Sequence, residues 1–244
     1  MNAAIKKILN EHLTPSRDYC YGFADLSGLL NEKFKAYPYG ISILRRLDDK
    51  IIEGIKDGPT PEYLNHYTEI NEHLTNLSDV IARELIHAGI GAVSVSPTVN
   101  MTPGKFDQRL PDLRYDLSHK MVATRAGLGW IGKTDLFVST KFGPRHRLAS
   151  ILINQQVTPE FNPVNRSRCG NCKVCVDKCP AHAATGRLWD IHTDRDLFFD
   201  AYKCREQCSE FGRTRLHVDR RICGICVAVC PIRSHELGRQ EARG

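Results

Sequence analysis

The tightest constraint on this chain is RCGNCKVCVDKCP at residues 168–180. Cys169, Cys172, Cys175 and Cys179 stand two, two and three residues apart, and Pro180 follows the last. Thiolates are soft ligands that suit iron–sulfur clusters and zinc. This spacing is the C-x₂-C-x₂-C-x₃-C-P run of bacterial ferredoxins, whose fourth cysteine reaches a second cluster. A second half follows in CGICVAVCP, with Cys223, Cys226, Cys230 and Pro231. The two runs supply seven thiols where two [4Fe-4S] clusters need eight, and YKCREQC offers Cys204 or Cys208 for the missing place. Exchange between the halves puts Cys169, Cys172, Cys175 and Cys230 on one cluster. Cys179, Cys223 and Cys226, with Cys204 or Cys208, take the other. Structural zinc is the competing reading, but zinc sites usually separate their pairs by longer gaps. Cys20 and the remaining member of the 204/208 pair read as ordinary thiols.

The rest of the composition is that of a soluble, core-forming protein: 244 residues, 41% hydrophobic and 25% charged. No run approaches the roughly 20 apolar residues of a membrane span, and the N-terminal MNAAIKKILNEHL lacks the apolar core of a signal peptide. A cytoplasmic location is expected, and in a reducing compartment clustered cysteines bind metal more often than they form disulfides. The formal charge is +6, but each thiolate-bound cluster adds roughly two negative charges. Charge alone therefore does not argue for a nucleic-acid partner.

Nine of the ten cysteines lie between 169 and 230, which suggests an α/β (α+β) domain over residues 1–163, a small ferredoxin-like double-cluster module over 164–238 and a charged tail at 239–244. TPEFNPVNRS (158–167) reads as the linker. In the first domain Ile70, Leu74, Leu77, Ile81 and Leu85 mark one face of a helix, with Pro61 in its first turn and Gly89 past its end. IGAVSVSP, DLFVST, LASILIN and YGISILRRL read as strands, the last followed by a helix through Ile51, Ile52 and Ile55.

A second informative stretch is TRAGLGWIGKTDLF (124–137). Its glycines permit sharp bends or close approach, Trp130 offers a flat apolar face and Lys133 a charge. It matches neither a Walker A loop nor a dinucleotide fingerprint, and reads as a helix end turning into a strand. RAGLGWIGK, followed about 35 residues later by the cysteine run and then by YKC and the second half, resembles epoxyqueuosine reductase and its relatives, the cobalamin-dependent reductive dehalogenases.

The resemblance implies a nitroreductase-like cobalamin-binding domain beside a double [4Fe-4S] module, with electrons passing through the clusters to cobalt, which reduces the substrate. It implies that Gly127, Leu128, Gly129, Trp130, Ile131, Gly132 and Lys133 line the corrinoid pocket, and it favours Cys204 over Cys208. An electron donor of flavodoxin or ferredoxin type is implied as well. There are departures. LPDLRYDLSHKMVAT lacks the proline and glutamate that surround the family's proton-donating aspartate, and the chain stops just past the clusters, so a tRNA substrate is not expected. A small molecule or a corrinoid protein is the expected substrate. Asp112, Tyr115, Asp116 and His119 are the candidate proton donors, with a solvated loop and a helix cap at Asp116 as the plainer reading. Arg145, His146 and Arg147 read as a solvated basic loop. Two alternatives stand beside the reductase: a non-catalytic two-cluster electron-transfer protein serving a corrinoid or other redox partner, and a compact tRNA-modifying enzyme.

Overall fold

The computed structural model describes residues 2–97 and 112–232; the tail expected at 239–244 lies outside them. In chain order the elements are α1 (Ala3–His12), β1 (Tyr19–Asp25), β2 (Tyr39–Arg46), α2 (Asp49–Glu53), α3 (Pro61–His87), β3 (Ala92–Val95), α4 (His119–Arg125), β4 (Gly129–Ile131), β5 (Phe137–Ser139), β6 (His146–Ile153), α5 (Val174–Asp177), α6 (Ala201–Arg215) and α7 (Ile225–Ala228). The chain divides into two compact units. One takes Met1–Arg46, Ile70–Leu128 and Arg147–Val164; the other takes Leu47–Glu69, Gly129–His146 and Asn165–Gly244. Residues 47–69 and 129–146, which the sequence reading assigns to the first domain, thus count with the cysteine-rich stretch.

The first unit is built on a four-stranded sheet in the order β1-β2-β6-β3. β1 runs antiparallel to β2, from Tyr19 opposite Arg45 to Asp25 opposite Tyr39, and β3 runs antiparallel to β6 from Ala92 opposite Ile153. Such pairs need no helical crossover between them, so the layer is of mixed α+β type. Ala149, Ile151, Leu152 and Ile153 of β6 and Ile41, Ile43 and Leu44 of β2 have no exposure. The predicted face of α3 is buried as well, at Ile70, Leu74, Leu77, Ile81 and Leu85, as helical periodicity requires. α4 packs on β1 and β2, and its first turn is capped by the Ser118 hydroxyl, which accepts from Met121 N at 3.3 Å. The cap is therefore Ser118 and not Asp116, whose carboxylate instead meets Lys33 Nζ at 2.7 Å. The 158–167 stretch is irregular, as a linker should be, but is pinned: Asn2 Nδ2 donates to Thr158 O, and Val164 N to Thr124 O.

The second unit has little regular structure. A short antiparallel hairpin, β4 with β5, pairs Gly129 with Ser139 and Ile131 with Phe137. Ile131, Trp189 and Phe198 form a small apolar core. α7 packs against both α2 and α5. Arg145 lies inside this unit with 3% exposure, its Nη1 3.0 Å from Asp49 and its Nη2 2.6 Å from Glu53. This corrects the solvated loop expected at 145–147: two carboxylates more than ninety residues upstream draw the guanidinium in, and His146 is buried beside it against Phe137. Among the described residues no helix is long and apolar enough to cross a membrane.

Candidate metal centre

The first cysteine run is a chain of tight turns. Cys172 N bonds Cys169 O, one turn of α5 carries Cys175, and Cys179 N bonds Val176 O. Cys204 and Cys208 sit four apart on α6, hence on one face. That helix is started by Asp200, whose Oδ1 accepts from Tyr202 N and Lys203 N at 3.0 Å each. Cys208 is tied to the second run through its carbonyl, which accepts from Ile222 N. Gly224, at φ +91°, turns the chain into α7, which carries Cys226.

The electrostatic neighbours of the thiols fall into two sets. Burial pushes Cys230 up to about 11, and Cys175, Cys169 and Cys172 push in the same direction. Burial pushes Cys226 well up, with Cys223, Cys204, Cys175 and Cys179 adding to it. Cys175 is thus near both sets; burial raises it while a hydrogen bond with Thr134 acts the other way. Cys208 lies between Cys204 and Cys223 and is pushed up by hydrogen bonds to both. The same bonds hold Cys204 below the usual thiol range and Cys223 down at about 7. Among the described residues no three Cys, His, Asp or Glu side chains gather closely enough for a single metal ion. A cubane asks less of them, since its four irons each take one thiolate.

N–H groups reach the sulfurs from two sides. Trp130 Nε1 lies 3.4 Å from Cys169 Sγ, and Ala183 N lies 3.5 Å from Cys179 Sγ. Lys133 Nζ donates to the carbonyls of Gly170 and Cys172, at 2.8 Å each. Arg168 holds its guanidinium 5.7 Å above the Trp130 ring.

The seven residues named for a corrinoid are engaged with the protein itself. Trp130 is 2% and Lys133 3% exposed, and both side chains turn to the first cysteine run. Gly129 is glycine because any Cβ would overlap the Val138 carbonyl across the hairpin, while Gly132 faces Val138 and the Cys169 sulfur and Gly127 faces Phe161. Leu128 and Ile131 are buried.

The four proton-donor candidates do not converge. Tyr115 is 51% exposed, Asp116 is paired with Lys33, and Asp112 accepts from Arg114 N. His119 instead has both ring nitrogens bonded, Nδ1 with Ser150 Oγ and Nε2 with Ser96 O, at 2.9 Å each. Desolvation lowers its pKa to about 4. Sequence reasoning missed Thr134 and Cys208 as hydrogen-bond partners of cluster thiols, and Arg145 as a buried strut. The i,i+4 step from Cys204 to Cys208 was the one available signal.

Comparison with known proteins agrees with the motifs. Residues 168–233 match the model of a 4Fe-4S double cluster binding domain. A tetrachloroethene reductive dehalogenase of Desulfitobacterium hafniense is 32% identical over 123 residues, 45% of this chain and 21% of the relative. An epoxyqueuosine reductase of Lactococcus garvieae is 36% identical over 110 residues, again 45% of this chain and 30% of the relative. Among solved structures, a reductive dehalogenase studied for its B12-dependent mechanism aligns over 91% of this chain and 31% of its own, at 16% identity and TM-score 0.62. An epoxyqueuosine reductase bound to a tRNA-Tyr stem loop aligns over 93% of this chain and 65% of its own, at 18% identity and TM-score 0.57. The chain thus spans less than two thirds of the proteins it matches. It is similar to the epoxyqueuosine reductases and the reductive dehalogenases in sequence over about 45% of its length, and in its mixed helix-and-sheet fold over nine tenths of it.

Proposed function

We propose that this chain is an iron–sulfur reductase that relays electrons through two [4Fe-4S] clusters to a corrinoid, for reduction of a substrate other than tRNA-bound epoxyqueuosine. Cys169, Cys172, Cys175 and Cys230 hold one cluster, and Cys179, Cys204, Cys223 and Cys226 hold the other. The observation that carries this reading is the neighbourhood of the two latest thiols: Cys230 has Cys175, Cys169 and Cys172 about it, and Cys226 has Cys223, Cys204 and Cys179, with Cys175 near both. That is the exchange pattern of two-cluster ferredoxins. Cys208 stays outside the ligand set as an S–H donor to Cys204 and Cys223.

The clusters supply one-electron transfer, and a bound corrinoid supplies a cobalt centre able to reduce a substrate. The chain's own residues set the conditions for the first of these. Trp130 and Ala183 donate N–H groups to ligand sulfurs, a recognised control on cluster potential. Lys133 braces the Cys169–Cys172 loop. The corrinoid rests on likeness to a fold in which B12-dependent dehalogenation has been described, with residues 1–163 as its nitroreductase-like seat and the Gly127–Lys133 turn contributing backbone rather than side chains. Asp112, Tyr115 and Asp116, all exposed, are the candidates to hand a proton to substrate. A flavodoxin- or ferredoxin-like protein in a reducing, cytoplasmic compartment supplies the electrons.

One observation favours a second reading, in which the chain is a two-cluster electron carrier for a redox partner: the side chains of the 127–133 turn are spent within the protein. The two readings separate on anaerobically purified protein, incubated with cobalamin and gel-filtered, with iron, sulfide and cobalt counted. One retained cobalt per chain supports the reductase. Full iron with no cobalt supports the carrier.

A further inference from the structure

The two-cluster reading, on which this inference rests, leaves one buried charge to be balanced. Lys133 is 3% exposed, and its Nζ spends two of its three donors on uncharged carbonyls, Gly170 O and Cys172 O. Among the described residues no carboxylate is ion-paired with it. An ammonium taken out of water without an opposite charge is strongly disfavoured, so an anion belongs beside it. The two carbonyls lie in the loop from Cys169 to Cys172, which carries two thiols of the first set. The same segment follows that set further: Trp130 Nε1 is 3.4 Å from Cys169 Sγ, and a Cβ at Gly132 would stand 3.6 Å from that sulfur. The second set has mixed surroundings, with Asp135 and Asp200 acting on Cys204 and Arg215 on Cys223.

We propose that Lys133 is the counter-charge of the cluster held by Cys169, Cys172, Cys175 and Cys230, and that it raises the reduction potential of that cluster. A cubane in four thiolates carries roughly two negative charges and gains a third when it takes up one electron; net charge and hydrogen bonding set where that happens. A fixed cation in a poorly solvated site favours the more negative state. Lys133 is thus a positioning and tuning residue for the cluster.

The test compares wild type with K133Q, K133M and K133R, each purified anaerobically with iron and sulfide counted. The reduction of the two clusters is followed by electron paramagnetic resonance during redox titration. In K133Q, with about eight irons retained, one couple moves to lower potential and the other stays in place. At a fixed potential within the transition the reduced-to-oxidised ratio of the moved couple changes at least tenfold, which is 59 mV for one electron. K133R keeps both couples at the wild-type values, and K133M, which removes the charge at similar length, repeats the shift if K133Q does not hold its clusters. Unmoved couples in iron-replete K133Q or K133M overturn the proposal, and so does a K133R shift as large as that of K133Q. Loss of about four irons from both neutral variants, with K133R intact, also overturns it and makes Lys133 a staple of the loop. A wild type without about eight irons fails earlier, and removes the two-cluster reading itself.

Discussion

Replacing Gly212 by alanine separates helix propensity from packing at the second thiol set. In the interior of α6 the change should gain about 1 kcal/mol, because alanine is the better helix former. The Arg220 carbonyl, however, lies against the Gly212 Cα: an added Cβ would overlap its oxygen, with Arg220 C at 3.0 Å and Val218 O at 3.1 Å. These neighbours are backbone, so no rotamer change relieves the clash. Overpacking costs about 1–3 kcal/mol, and the upper end applies where backbone must move. Displacing the 218–222 loop also strains the Val218 N to Gly212 O bond at 3.0 Å, which contributes about 1 kcal/mol. Propensity offsets only part of this, which leaves a net loss of about 2–3 kcal/mol. In a chain of this size that lowers Tm by roughly 4–12 °C. Because the same loop ties Ile222 N to Cys208 O beside Cys223, iron should fall from about eight toward about four per chain. Arg213→Ala, at an exposed position of the same helix, serves as the control, and should stay within about 0.5 kcal/mol of wild type. A Gly212→Ala protein with unchanged or higher Tm and full iron would refute the reasoning.

Three further outcomes follow from the same contacts. Arg145→Met should lower stability by about 2–3 kcal/mol in thermal unfolding. That is below the roughly 3–5 kcal/mol typical of broken buried pairs, because Asp49 and Glu53 keep 44% and 34% of their exposure and can regain water. Cys208→Ala should retain about eight irons and shift the potential of one couple downward through the lost S–H donor, whereas Cys204→Ala should lose iron from that same couple; equal iron loss in both would make Cys208 a ligand. His119 titrates at about 4 in the folded chain against 6.5 unfolded. The unfolded state therefore binds more protons below pH 6.5, so the His119 contribution is whole above that pH and is lost as pH falls toward 4, by at most about 3 kcal/mol. His119→Gln should lose less stability than wild type between pH 7 and pH 5; equal losses would count against the neutral, desolvated imidazole.

Much of the centre could be read in the sequence because cluster ligation is partly a local demand. Three thiols around one cubane come from adjacent turns, so their spacing is written at 169–175, and the pair at 223–226 does the same for the other cluster. The periodicity of α3 and the β-branched run of β3 were legible for similar reasons, since one buried face dictates the pattern. β1 was not anticipated: YCYGFAD carries a cysteine, a glycine and an aspartate, and is a strand because of its register with β2. In the glycine-tryptophan turn the glycines signal close approach, and the partners come from tertiary structure: Gly129 meets the hairpin's own Val138 carbonyl, and Lys133 meets a loop nearly forty residues downstream. Arg145 reads as a surface cation until Asp49 and Glu53 are brought to it by tertiary structure. No local pattern encodes those pairings.

The most direct test of the two-cluster account is an iron and acid-labile sulfide count on anaerobically purified wild type, Cys169→Ser, Cys230→Ser and Cys226→Ser, with Mössbauer spectra to identify cluster type. The account predicts about eight irons and eight sulfides in wild type, all as [4Fe-4S]. It also predicts that Cys230→Ser damages the same cluster as Cys169→Ser, while Cys226→Ser damages the other. Four irons with one zinc, or Cys230 and Cys226 acting on the same cluster, would contradict it.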